Sequence, residues 1–428
     1  MWFPYHFPEN IIRQPPVPHR RRSTTNEKAA EEERNTDHRP PTANEKAEEE
    51  RNKEQQVGYC LRSGQRRKSL IMNMESSSSS LPDDAWFEIL AHLPARDIYD
   101  LARLVCWKWY RMIYTHTFIY SNLQYTPYGL IFVSPDNMTF SVTMQQGRIE
   151  TSKLSDTFIP TLWNTCNGLT VTRAPKSSKI YYIANPITEQ VFALPPTPVL
   201  PSVDWFCGIG YASVSMEYKV VVTGLSSNGP WGIITPGVDG SWRVVSTDHF
   251  GLLPWIVVHP LITEGFMHWT FGGKGSGRKI GNQVLSLDLE TEIVTKSCVP
   301  LDYDGECDHW NYLSTGRYLT LLITRGDCLW QVWEMKSGNG GGQWRKLDGV
   351  VIDLGTQMFE QYGFKLVPVG WLKYLELLVL RVSHSPIRVY NFLYNFLTKE
   401  IIPLELPFVC MNVNPVVHKN SLVWLAGC

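Results

Sequence analysis

The chain has 428 residues, more than one compact helical unit needs and enough for two or three folded modules with a sizeable core. Its 40 lysines and arginines balance 41 aspartates and glutamates, so bulk charge gives no footing for nucleic acid or an anionic membrane as partner. Nine cysteines, an odd number without a single CxxC pair, predict reduced thiols rather than a disulfide framework, and no ligand spacing predicts a metal or cofactor.

Residues 1–79 are poor in apolar side chains and carry an imperfect duplication, NEKAAEEERN from Asn26 and NEKAEEERN from Asn44. Such a tract buries too little surface to offset chain entropy and is predicted to be a disordered tail. Its start, MWFPYHFPENIIRQPPVPHRRR, lacks the apolar run of a secretory leader, and nowhere does an apolar stretch approach the roughly 20 residues that cross a bilayer. The basic runs Arg20 to Arg22 and Arg66 to Lys68 have the character of nuclear address signals, so the expected location is cytoplasmic, nuclear or both. Met72 and Met74, just before ESSSSSLPDD, offer alternative translation starts.

The next segment, 80–125, opens LPDDAWFEILAHLPARDIYDLARLVCWKWYRMI. Pro82 suits a first helical turn, Asp83 and Asp84 suit the positive end of a helix dipole, and Trp86, Ile89, Leu90 and Leu93 follow helical spacing up to the stop at Pro94. Asp97 is placed to cap a second helix bearing Ile98, Leu101, Ala102 and Val105, and a third runs through Cys106, Trp109, Met112 and Ile113. Three helices this short cannot cover all their apolar side chains. Either the excess forms a protein interface or it packs onto the rest of the chain, and pattern alone leaves both open. With five acids against four bases between Leu81 and Ile113, no helix here has the basic face that DNA recognition needs.

Residues 128–428 read as short runs of Val, Ile, Tyr, Phe and Trp between glycine and proline turns, the texture of an all-β domain. Six segments repeat strand, polar turn, strand: FSVTMQQGRIETSKL, YYIANPITEQVFALPP, WGIITPGVDGSWRVV, VLSLDLETEIVTKSCVP, LWQVWEMKSGNGGGQWRKL and VYNFLYNFLTKEIIPL. Their recurrence at roughly 50 residues predicts a kelch-like, six-bladed β-propeller, with NSLVWLAG supplying the strand that closes the ring. The fold class is thus α+β and multidomain. GGKGSGRK at Gly272 to Lys279 lacks the order of a phosphate loop, and neither HExxH nor GxSxG occurs, so an enzyme is a remote alternative.

The helical segment closely resembles an F-box: Leu81-Pro82, the ILxxLP of Ile89 to Pro94, the aspartate-led second helix and the LVCxxW of Leu104 to Trp109 fall at that family's spacing, with Trp107 standing where a basic residue is common. The β region resembles the F-box-associated domain of plant F-box proteins through NTCNGL at Asn164, YYIANPITEQVFALPP at Tyr181, GIGYASVSMEYKVV at Gly208, GSWRVV at Gly240, GFMHWT at Gly265 and VLSLDLETEI at Val284. The resemblance implies a non-catalytic substrate-recognition subunit of an SCF (Skp, cullin, F-box) ubiquitin ligase. In that role the helices dock on the Skp adaptor, and through it on cullin and RING subunits, while the β domain holds an unknown protein target. Matching motif positions nominate Leu81, Pro82, Leu90, Leu93, Pro94, Ile98, Val105 and Trp109 for adaptor contact, with Leu101 and Cys106 assigned to the core. For the target, Trp163, Trp205, Trp255 and Trp310 each fall in a presumed connection leaving a final strand, with Asp302 and Asp304 in an acidic loop. A tryptophan recurring once per blade is more often a packing element of the repeat. A scaffold or decoy that keeps an F-box outside any ligase is the competing reading.

Overall fold

A computed structural model describes residues 81–133, 138–145, 148–155, 162–173, 180–197, 205–224, 231–246, 260–270, 283–299, 309–324, 329–337, 342–353, 366–383, 389–404 and 415–424. The predicted tail and the Gly272 to Lys279 loop lie outside these. The chain divides into residues 1–82, of which Leu81 and Pro82 are described and exposed, and a compact unit from Asp83 to Cys428. That unit joins the helices and the β region.

Helix α1 (Asp83–Ala91) carries its two acids in the first turn. It ends against Asn122, 1% exposed, whose Nδ2 donates to the carbonyls of Ala91 and Leu93 at 2.9 Å each. Those acceptors would otherwise be orphaned at a helix C-terminus. Asn122→Ala should therefore cost about 1–3 kcal/mol in denaturant unfolding. The second helical run begins at Ala95, not at an Asp97 cap: Pro94 takes the N-cap position, and α2 (Ala95–Asp97) passes into π1 (Ile98–Ala102) and α3 (Arg103–Val105). Cys106 is extended, φ −157° and ψ 162°, and its Sγ accepts from Trp109 N to start α4 (Trp107–Ile113). A further helix, α5 (His116–Tyr125), is capped by Thr115 and buries Phe118, Ile119, Asn122 and Leu123.

The β region is a six-bladed propeller of four-stranded antiparallel sheets. Blade 1 holds β1 (Gly129–Val133), β2 (Thr139–Gln145) and β3 (Arg148–Ser155); blade 2 holds β4 (Leu162–Cys166), β5 (Leu169–Arg173), β6 (Tyr181–Asn185) and β7 (Gln190–Ala193). Blade 3 comprises β8 (Trp205–Ala212), β9 (Glu217–Gly224), β10 (Trp231–Ile234) and β11 (Arg243–Val245), and blade 4 β12 (Leu261–Thr263), β13 (Phe266–Thr270), β14 (Gln283–Asp288) and β15 (Val294–Cys298). Blade 5 comprises β16 (His309–Ser314), β17 (Leu319–Thr324), β18 (Leu329–Lys336) and β19 (Gln343–Asp353), and blade 6 β20 (Leu366–Lys373), β21 (Leu377–Ser383), β22 (Val389–Asn395) and β23 (Ile401–Pro403). The last strand, β24 (Val416–His418), pairs with β1 and completes blade 1. Inner strands neighbour one another in the order β24, β4, β8, β12, β16, β20 and back to β24, a closed ring. Each predicted hairpin forms the outer two strands of one blade. The closing strand differs from expectation: it is Val416–His418, and the described part of NSLVWLAG is not a strand.

One turn chemistry recurs between the outer strands of blades 2, 4 and 6. In NPITE, DLETE and NFLTK, the first residue's side-chain oxygen accepts from the backbone N–H two and three residues on: Asn185 from Ile187 and Thr188, Asp288 from Glu290 and Thr291, Asn395 from Leu397 and Thr398. This self-capping turn suits Asn and Asp, and it ends on a left-handed residue, Glu189, Glu292 or Lys399. In blades 4 and 6 the second residue, Leu289 or Phe396, donates its N–H to the inner turn of the same blade, at Gly265 O or Glu376 O. Blade 2 has Pro186 there, which has no N–H to give.

Instead the C-terminal segment beyond β24 spans the two turns of blade 2. Asn185 Nδ2 donates to Ser421 O at 3.0 Å and Val423 O at 2.6 Å, and Ser421 Oγ donates to Asn167 O at 2.7 Å. The inner turn, Asn167-Gly168, has both residues at positive φ, 50° and 84°, and a Cβ on Gly168 would lie 1.9 Å from Ser421 Oγ. Glycine is demanded there by conformation and by space. Leu422 and Val423 then join one apolar core with Leu90, Ile98, Ile113 and Phe118 of the helices and Leu154, Leu169 and Ile187 of blades 1 and 2. Lys419 Nζ donates to Leu123 O at 3.2 Å and lies 4.6 Å from the Tyr128 ring, and burial lowers its pKa. Tyr99 OH donates to Thr188 O at 3.0 Å, and Arg96 to Lys153 O.

Two fully buried histidines set a pH limit. His268 sits between Thr263 Oγ1 at 2.7 Å and Ser286 Oγ at 2.8 Å, and burial pushes its pKa from 6.5 down to about 3; His418 falls to about 4 for the same reason. With folded pKa values below the unfolded one, the unfolded chain binds more protons on acidification. Stability is complete above pH 6.5 and falls as pH drops from there toward 4, by about 2 kcal/mol per histidine at pH 5. Urea midpoints at pH 7 and 5 check this, with about half the fall expected in His418→Leu.

Candidate functional site

The helices between Asp83 and Tyr125 carry two apolar stripes because residues three and four apart share a face. One stripe, Leu90, Ala91, Ala95, Ile98, Ala102 and Ile113, is buried in the core shared with the propeller. The other is uncovered: Ile89, Leu93, Leu101, Leu104, Val105 and Trp107 are exposed, Leu104 at 70% and Trp107 at 62%. Trp107 stacks on Tyr110 with centroids 5.3 Å apart, and Lys108 pairs with Asp83, so the ring is held on the surface. Half of the apolar excess is thus packed against the chain's own blades and half faces solvent.

The nominated adaptor residues separate accordingly. Leu93 and Val105 are exposed, and Leu81 and Pro82 are exposed in their own unit. Pro94 and Trp109 are half-buried, Trp109 lying 4.9 Å from the Trp86 ring. Leu90 and Ile98 are corrected to core, at 1% and 0% exposure, because they fall on the stripe facing the propeller. Leu101 and Cys106, assigned to the core, are exposed instead, Leu101 at 67%. Ile89, Leu104 and Trp107 join the exposed set beyond the motif positions. Their signal was present as a second helical stripe, Leu101, Leu104 and Val105 at three- and four-residue spacing, alongside the first.

On the propeller, Trp163, Trp205 and Trp310 belong to first strands, β4, β8 and β16, rather than to connections. Trp310 is half-buried against Val299, Leu321 and Ile323, a packing role. The side chains of Trp163 and Trp205, and Trp255, Asp302 and Asp304 altogether, lie outside the described residues. Among the described residues no three His, Cys, Asp or Glu side chains gather as a metal site, and no helix is long and apolar enough to cross a membrane.

Residues 78–120 match the F-box domain family. An Arabidopsis thaliana protein described as an F-box protein is 26% identical over 232 residues, covering 51% of this chain; the chain spans 59% of that relative's length. Among solved structures, the SapL1 lectin in complex with alpha methyl fucoside aligns with 66% of this chain and 97% of its own at 12% identity and a TM-score of 0.36. A post-proline cleaving enzyme from Rickettsia typhi aligns with 66% of this chain and 45% of its own at 11% identity and a TM-score of 0.32. Likenesses this distant carry nothing about activity. The helices thus carry an F-box domain at residues 78–120, and the similarity to a plant F-box protein extends over about half of the chain.

Proposed function

We propose that the chain is the target-recognition subunit of an SCF-type ubiquitin ligase, with no bond chemistry of its own. The observation that carries this reading is the uncovered stripe from Ile89 to Trp107 on helices whose opposite stripe is already buried. Several large apolar side chains exposed on helices whose opposite side is buried mark a protein interface, and F-box helices use theirs for a Skp adaptor. The adaptor brings cullin and RING subunits, and the propeller holds a protein target. Ubiquitin transfer to that target then proceeds at the high effective concentration of a tethered pair. Because the helices and propeller share one core, the target would be presented in a fixed orientation. The assembly would work in cytoplasm, nucleus or both.

Purification of the full-length chain from cells tests this. Adaptor and cullin should co-purify, and a set of proteins should accumulate when the chain is deleted. Adaptor without cullin, and no accumulating protein, would favour a scaffold or decoy.

A further inference from the structure

The turns of blades 3 and 4 form a second surface that adaptor docking does not use. Four apolar side chains stand out from adjoining turns: Val214 at 83% exposure, Met216 at 62%, Val238 at 69% and Ile293 at 60%. Single exposed apolar residues are ordinary, but these four are tied together by one polar frame. Glu290, in the β14–β15 turn, accepts from the N–H groups of Val214 at 2.5 Å and Ser215 at 3.2 Å in the β8–β9 turn. Glu292 accepts from Lys219 at 2.8 Å and pairs with Arg243, which also reaches Asp239 at 3.2 Å. Asp239 in turn accepts from Thr235 N at 2.8 Å, closing the turn that bears Val238. The frame fixes three turns from two blades relative to each other.

Two further features mark the surface. Met216 ends the β8–β9 turn at φ +57°, the left-handed conformation also found at Glu189, Glu292 and Lys399 and one that glycine adopts at no steric cost. These three turns, the adjoining β12–β13 turn at Glu264-Gly265 and their flanking residues also hold six carboxylates, Glu217, Asp239, Glu264, Asp288, Glu290 and Glu292, against Lys219, Arg243 and Lys296. Lys219 and Arg243 are committed inside the frame, while Glu264 and Lys296 are exposed, which leaves the surface acidic on balance.

We infer that the turns of blades 3 and 4 are a docking surface for a protein segment carrying apolar side chains flanked by Lys and Arg. This rests on the reading that the propeller holds a protein target, and names the chemistry of that target. Charge complementarity commits the occupant: a nucleic acid or acidic peptide would be repelled, while a basic segment is attracted at the rim as its apolar residues meet Val214, Met216 and Ile293.

The test uses the purified full-length chain and two fluorescent nine-residue peptide pools, Leu/Ile anchors flanked by Lys/Arg and the same anchors flanked by Asp/Glu, followed by anisotropy. The basic pool should bind, and the acidic pool should not. Val214→Ser with Ile293→Ser should weaken binding about tenfold or more. Glu264→Lys should weaken it several-fold and flatten its salt dependence. Met216→Gly guards against misfolding, since it should leave the unfolding midpoint at or above the wild-type value while lowering peptide affinity. Adaptor capture should be the same in all variants. Binding unchanged in every variant, absent in the wild type, or equal for both pools would overturn the inference. Wild-type chain that binds the basic pool yet captures no adaptor would sink the ligase reading and leave this surface standing.

Discussion

Leu104→Asp combined with Trp107→Asp should abolish capture of a Skp adaptor while leaving the unfolding midpoint of the chain at its wild-type value. Both side chains lie mostly in solvent in the free chain, so charge there costs little before binding. Seating a partner on them would bury two carboxylates without counter-charges, at about 2 kcal/mol or more each, a loss beyond a thousandfold in affinity. Leu90→Asp, one stripe away, should give the opposite signature: at 1% exposure in the shared core it should prevent folding altogether. Pull-down with purified adaptor beside thermal unfolding separates the two. Capture by the double variant at wild-type strength would remove the uncovered stripe from the ligase reading.

Asn185→Ala should be among the most destabilising single changes in the propeller. The residue is 2% exposed and makes four hydrogen bonds, two closing its own turn and two holding the C-terminal segment. At about 1 kcal/mol each, and with buried carbonyls left unpaired, the loss should reach about 4 kcal/mol in denaturant unfolding. Asn185→Asp separates the two jobs. It keeps the acceptor that shapes the turn but sets a carboxylate against the Ser421 and Val423 carbonyls, so a loss at least as large would assign the effect to the segment. Gly168→Ala should act at the same place, by strain at φ 84° and by collision with Ser421. Near-wild-type stability in Asn185→Asp would show that the segment contributes little.

How much of this was legible in the sequence depended on the range of the interaction. Local periodicity and turn chemistry gave the helices and one hairpin per blade, because strand alternation and Asn, Asp and Gly turns are written in neighbouring residues. The resemblance to the F-box gave the motif but not its sidedness. Leu90 and Leu101 look alike in the pattern, and only the propeller, remote in sequence, decides which is inside. The same holds for NTCNGL and ANPIT. In the sequence the first is a motif of the F-box-associated resemblance and the second a polar turn, and their partners, Ser421 and Val423, lie more than two hundred residues away. Aromatic residues anchor interfaces, which points to the tryptophans as the target surface, yet Trp310 sits in a first strand and packs against Val299, Leu321 and Ile323 of blades 4 and 5.

The eight residues from Val416 to Val423 sew shut the circle of sheets and also cement the helices to its flank. A premature stop codon at Val416 would therefore undo both seams at once, whereas one at Lys419 would keep the closing strand and lose the bond to the helices. The helical part should not survive as a borrowed, free-standing tag, and heating should melt helices and blades together in a single step.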